Sequence, residues 1–128
     1  TKLLERLLQR ISTETGLSSN ELIVIHYLNC FPHSNVTKDM SLFTDINQFL
    51  LVPLLEKLLF NEYVTRDKSS DFETYYSLSQ KAESITKQLN QLSQDFDSIR
   101  FAGIDPSTQE LLQTTEETIY ENIRKKLL

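Results

Sequence analysis

Residues 44–79 read TDINQFLLVPLLEKLLFNEYVTRDKSSDFETYYSLS, and the two halves of this stretch follow different periods. At about 100° per residue, Leu50, Leu51, Leu54, Leu55, Leu58 and Leu59 fill one broad half of a helix over 46–60, the expected core side. Phe49, Val52, Pro53, Glu56, Lys57 and Phe60 fill the other half. Pro53 offers no N–H to the carbonyl of Phe49 and crowds it, so a kink is expected there. Segments 62–66 and 74–78 are rich in β-branched and aromatic residues and are separated by the polar run 67–71, the signal of a hairpin with an extended tip. A helix leading directly into a hairpin is the reading unit of a winged helix-turn-helix.

Working back toward the N-terminus, residues 38–43 form a short helix behind Thr37 as N-cap, with a polar turn at Thr44-Asp45 before the leucine-rich helix. Two helices across a tight turn are the helix-turn-helix pattern, although no glycine stands in this turn. Before them, Ser18 and Glu21 have capping-box spacing, and Leu17 and Leu22 occupy hydrophobic-staple positions. The helix that follows, ELIVIHYLN, is apolar nearly all round and reads as the central buried helix. Residues 1–15 form an amphipathic helix with Leu4, Leu7, Leu8 and Ile11 on one face, and Gly16 is its expected stop.

Toward the C-terminus, Ser79 stands as the cap of a long helix. In it Ala82, Ile85, Leu89, Leu92, Phe96 and Ile99 recur at alternating spacings of three and four, a heptad seam. Residues 100–106 interrupt it. Ser107 and Glu110 have the spacing of a second capping box, and Leu112, Thr115, Ile119, Ile123 and Leu127 line one face of a last helix. The first and the last two helices together carry more apolar surface than one small domain hides, so a homodimer is expected.

Composition narrows the class. A chain of 128 residues suits one domain, and with two glycines and three prolines it is neither loop-rich nor disordered. Its longest apolar run is too short to span a membrane, and no secretory signal is visible. A single cysteine, Cys30, excludes an internal disulfide and fits a reducing cytoplasm. The net charge is −5. No nucleophile–base pair, phosphate loop or metal motif stands out, so neither an enzyme nor a cofactor is expected.

The order helix, helix, short helix, leucine-rich helix, wing, long helix, terminal helix resembles the MarR family of bacterial transcription regulators, and within it the SarA-like branch. GLSSNELIVIHYL and LLEKLLFNEYVTRDKSSDFETYYSLSQKA carry the resemblance, which covers almost the whole chain. It implies a mainly α fold with a small β-hairpin wing, in a single domain over 1–128. Within it 17–79 would be the DNA-binding lobe, and 1–16 and 80–128 the dimerisation helices. It further implies a cytoplasmic homodimer on a pseudo-palindromic duplex, with the leucine-rich helix in the major groove and the wing near the minor groove. Relatives of this kind also take small-molecule effectors between stalk and reading head, a place where Tyr27, Phe31 and Phe96 could line a pocket. The chain departs from the family pattern at three places. Asp71-Phe72-Glu73 replaces an Asp-x-Arg whose arginine enters the minor groove. Glu62 replaces a glycine before the first wing strand, and Val52-Pro53 replaces Thr-Arg on the recognition helix.

Lys38, Thr44, Asn47, Gln48, Lys57, Arg66 and Lys68 are the candidate DNA contacts, since these side chains donate to phosphates or read base edges. Leu4, Leu7, Leu8, Ile11, Leu112, Ile119, Ile123 and Leu127 are the candidate dimer contacts. Against DNA stands the charge of 37–79: four basic residues face seven acidic ones. Arg66 could pair with Asp67 or Glu73. A second reading therefore stands beside the regulator: a winged-helix dimer that binds a protein through an apolar patch of Phe49, Val52, Pro53 and Phe60. His26 reads as a core or interface residue and Cys30 as a buried, inert thiol.

Overall fold

The computed structural model describes residues 2–70 and 73–127. Among them are helices α1 (Lys2–Thr15), α2 (Ser19–Cys30), α3 (Lys38–Thr44) and α4 (Gln48–Phe60), strands β1 (Val64–Ser70) and β2 (Glu73–Leu78), and helices α5 (Glu83–Arg100) and α6 (Pro106–Leu127). The fold is mainly α with one antiparallel hairpin, as the sequence predicts. The chain divides into two compact units, Thr1–Leu92 and Ser93–Leu128.

In the first unit α2 is the central element. Leu22, Val24, Ile25 and Leu28 are buried, and α2 packs against α1, α3, α4 and β2. Its capping box forms as the spacing predicts, with the Glu21 N–H donating to Ser18 Oγ and the Ser18 N–H to Glu21 Oε1, both at 3.1 Å. Leu8 and Ile11 of α1 are buried in this same core. That corrects their assignment to a dimer contact: at these two positions α1 is covered by its own chain. Leu7 is half-buried, and Leu4 lies outside the residues whose side chains are described. The seam of α5 behaves alike. Ala82, Ile85 and Leu89 are buried within the unit, whereas Ile99 at the far end is exposed.

α3 ends at Thr44 and is C-capped by Asp45, which adopts φ 57° and so makes the turn that lacks a glycine; a short polar side chain tolerates this left-handed conformation. α4 starts at Gln48, two residues later than its hydrophobic pattern, because Asn47 caps it by accepting the Phe49 N–H at 2.8 Å. Pro53 lies inside α4, which continues through it to Phe60. Leu51, Leu55 and Leu58 are buried and Leu54 and Leu59 partly so, but Leu50 is 58% exposed. The buried stripe is thus narrower than the half-wheel predicts. The helix closes in a Schellman motif: the Tyr63 N–H donates to Leu58 O and the Glu62 N–H to Leu59 O, with Glu62 at φ 66°. This left-handed position is where glycine is the usual residue.

β1 and β2 pair with Val64 opposite Leu78 and Arg66 opposite Tyr76, and the register shifts by one residue between Asp67 and Ser70. β1 begins two residues later than its predicted segment, both strands run further toward the tip, and Asp71 and Phe72 of the tip lie outside the described residues. Ser34, after α2, exchanges two backbone hydrogen bonds with Tyr76 and adds a third, one-residue rung to the hairpin. Ser79 does not cap α5. Its hydroxyl donates to Glu62 O, and a 3-10 turn at Gln80–Ala82 leads into the helix.

In the second unit Asp105, not Ser107, closes the start of α6. Its carboxylate accepts the Thr108 N–H and hydroxyl, both at 2.9 Å, and these bonds hold its pKa below the usual value. Arg100 bridges to Glu116 at 3.3 Å. Along α6, Leu111, Leu112, Ile119, Ile123 and Leu127 are all exposed.

Candidate nucleic-acid interface

The surface that would meet a duplex is built from the start of α3, the outward side of α4 and the hairpin. Lys38 opens α3 behind its cap Thr37 and is exposed. Asn47 and Gln48 open α4, so the amide of Asn47 holds the helix terminus while its NH2 group remains available as a donor. Lys68 is exposed on β1.

The other candidates are engaged elsewhere. Thr44 is buried, 6% exposed; its hydroxyl donates to Met40 O at 2.8 Å and accepts the Ile46 N–H at 3.3 Å. It closes the turn between α3 and α4 and presents nothing to a ligand, which corrects its place among the contacts. Lys57 reaches back to α2, with Nζ 3.3 Å from Glu21 Oε1. Arg66 pairs across to α4 through Glu56 at 3.0 Å, not with Asp67 or Glu73 within the hairpin. Each of these cations is met by a carboxylate, so its pull on a phosphate is reduced.

Glu21 has a role that spacing alone did not reveal. It is 1% exposed, and its Oε1 serves both the α2 cap and Lys57 while Oε2 has no hydrogen-bond partner. The buried carboxylate therefore ties the central helix to α4. The one available signal was a capping-box glutamate heading an otherwise apolar helix.

At the hairpin, His33 holds φ 58° and stacks on Tyr75, with ring centroids 4.6 Å apart and an interplanar angle of 10°. The Tyr75 hydroxyl donates to the Glu73 carboxylate, a bond that pushes the Tyr75 pKa up. Glu73 is thus fixed at the position where the resemblance leads one to look for an arginine. Lys81 donates to Asn61 O at 2.7 Å and lies 4.4 Å over the ring of Tyr63, pinning the junction of α4 and β1.

Tyr27, Phe31 and Phe43 form an aromatic cluster with centroid separations of 4.9–5.5 Å. Phe96 belongs to the second unit, with Arg100 5.8 Å from its ring. Cys30 is exposed, a correction to its reading as a buried thiol; partial cover still raises its pKa, and its Sγ lies 3.9 Å from His26 Nε2. Burial lowers the pKa of His26. Among the described residues, no group of His, Cys, Asp and Glu side chains could hold a metal ion, and no helix is long and apolar enough to cross a membrane.

This arrangement defines a class: a central helix, a helix-turn-helix, a wing and three further helices form the MarR-like winged-helix fold. Neither a protein-family model nor a curated protein sequence matches the chain. Solved structures do. A MarR-family transcriptional regulator from Silicibacter pomeroyi superposes with a TM-score of 0.84 at 18% identity, over 95% of this chain and 83% of that one. A MarR regulator from Methanosarcina mazei Go1 gives 0.77 at 17% identity, over 97% and 86%. BpsR of Bordetella bronchiseptica, whose DNA binding is regulated by 6-hydroxynicotinic acid, gives 0.66 at 12% identity, over 92% and 85%. The likeness lies in the fold.

Proposed function

We propose that the chain is a winged-helix transcription regulator that binds a pseudo-palindromic duplex as a homodimer in the cytoplasm. The observation that carries this reading is the uninterrupted succession of α2, α3, α4 and hairpin around one core, shared with regulators over nearly the whole chain. Asn47, Gln48, Lys38 and Lys68 are the contacts on this reading. Asn and Gln match the donor–acceptor edge of adenine, and the two lysines suit phosphates. Leu112, Ile119, Ile123 and Leu127 would close the dimer. All four are exposed on one protomer, and a helix with an uncovered apolar stripe gains from a second copy. The fate of BpsR suggests that a small aromatic acid is the kind of effector to try first.

The test is retention of fragmented genomic DNA by the purified chain at low salt, followed by footprinting of the retained fragments. A palindromic footprint that Asn47→Ala and Gln48→Ala each weaken by about tenfold is the expected result. Equal retention of all fragments, unaffected by either substitution, would sink the assignment.

A further inference from the structure

The outward side of α4 is not dressed for a phosphate backbone. Phe49 and Phe60 are 88% and 87% exposed, Val52 is 45% exposed, and Pro53 and Glu56 are exposed beside them. At about 100° and 1.5 Å per residue, these five side chains fall within an arc of about 100° along a ridge about 16 Å long. Leu50 lies on the flank of this ridge. No arginine, asparagine or glutamine stands on it, so what it offers a base edge is apolar contact with thymine methyls and the carboxylate of Glu56, which Arg66 already holds. Depletion of charge and enrichment in aromatic residues mark the centre of a protein interface.

The charges around the ridge say what should cover it. Asp45 is exposed ahead of the N-terminus of α4, Glu56 sits on the ridge, and Glu62 is exposed just past the C-terminus. The carbonyl end of the helix adds negative potential beside Phe60. Arg66 and Glu56 cancel each other, Lys57 is bound to Glu21, and Lys81 is held at Asn61 O over the Tyr63 ring, so the acid left for a partner is Asp45 at one end of the ridge and Glu62 with the helix carbonyls at the other. We propose that the α4 ridge docks a protein segment bearing an apolar stripe flanked by lysine or arginine, and that this segment excludes DNA from the same helix. The docking stands on the ridge and its charges; only the exclusion rests on the DNA reading. Apolar contact supplies the residence time and the opposite charges supply partner choice.

The experiment uses the full chain and two labelled amphipathic helical peptides with the same Leu/Phe stripe, one flanked by Lys and Arg, the other by Glu. Anisotropy should show the basic peptide binding at least about tenfold more tightly than the acidic one. The variant Phe49→Ser/Phe60→Ser should lose at least about tenfold in affinity for the basic peptide, and hydrogen exchange should slow across α4 when that peptide is added. Both side chains are solvent-exposed, so the double variant should melt as the parent does; Phe60→Glu alone is the second variant should it not. Equal affinity for the two peptides, or binding that both variants leave unchanged, overturns the proposal. So does a loss of self-association in the free double variant, since the occupant would then be a second copy of the chain. A peptide that binds α4 in a chain that retains no DNA upholds the docking and removes the regulator reading. DNA that stays bound under saturating peptide removes the exclusion.

Discussion

Replacing Lys57 with methionine tests the tie between α2 and α4. Methionine keeps most of the apolar stem and deletes the ammonium that sits 3.3 Å from Glu21 Oε1. An ion pair at a surface is worth about 0–1 kcal/mol, and the lysine side chain is 62% exposed, which argues for the low end. The partner decides otherwise. The Glu21 side chain is 2% exposed, its Oε2 has no hydrogen-bond partner, and without Lys57 its charge is answered only by the Ser18 N–H. Stranding a buried charge costs about 3–5 kcal/mol in a dry interior, and water reaching the vacated lysine site reduces this. The expected loss is therefore about 2 kcal/mol. Glu21→Gln keeps the acceptor for the cap but puts an NH2 group where Oε2 is, at a cost of about 1 kcal/mol. In the Glu21→Gln background Lys57→Met should cost almost nothing, giving a coupling of about 1–2 kcal/mol. Urea unfolding of all four proteins at one fixed concentration measures this. A coupling under about 0.3 kcal/mol would show that the bridge does not secure α4.

The remaining predictions concern backbone, core, pH and assembly. Glu62→Gly should raise stability by about 0.5–1 kcal/mol, because φ 66° is strained for glutamate and free for glycine; an unchanged or lower urea midpoint refutes it. Leu55→Ala, at a fully buried position of α4, should cost about 3 kcal/mol, visible as a melting temperature lower by roughly 10 °C. The His26 pKa lies below its ordinary 6.5, so the unfolded chain takes up a proton before the folded one does. Stability is therefore full above about pH 6.5 and falls as pH drops from there through the folded pKa, a slope that His26→Gln should remove. Ile119→Glu/Ile123→Glu should yield a folded monomer by sedimentation, since both positions are exposed on one protomer; a dimer that survives both charges moves the interface elsewhere.

Much of the fold was legible in the sequence because local chemistry wrote it. The capping box at Ser18 and Glu21, the cap at Thr37, the stop at Gly16 and the polar gap between two β-rich segments each act within a few residues, where spacing and geometry are nearly the same thing. The glutamate at position 62 also spoke plainly: it stands where glycine is usual, and the backbone there is left-handed.

What only the tertiary structure decided were contacts between residues far apart in the chain. Periodicity shows that a face is apolar but not which surface covers it, so Leu8 and Ile11 look like dimer contacts until α2 is seen over them, while Leu50 looks buried until α4 is turned outward. Long cations have many partners within reach, and sequence neighbours are the wrong guide: Arg66 chose Glu56 ten residues back, and Lys57 chose Glu21 across the core. The exposed ridge of Phe49, Val52 and Phe60 was legible on the wheel as a face. That Lys57 and Arg66 beside it are already spent on carboxylates was decided by the packing of α2, α4 and the wing.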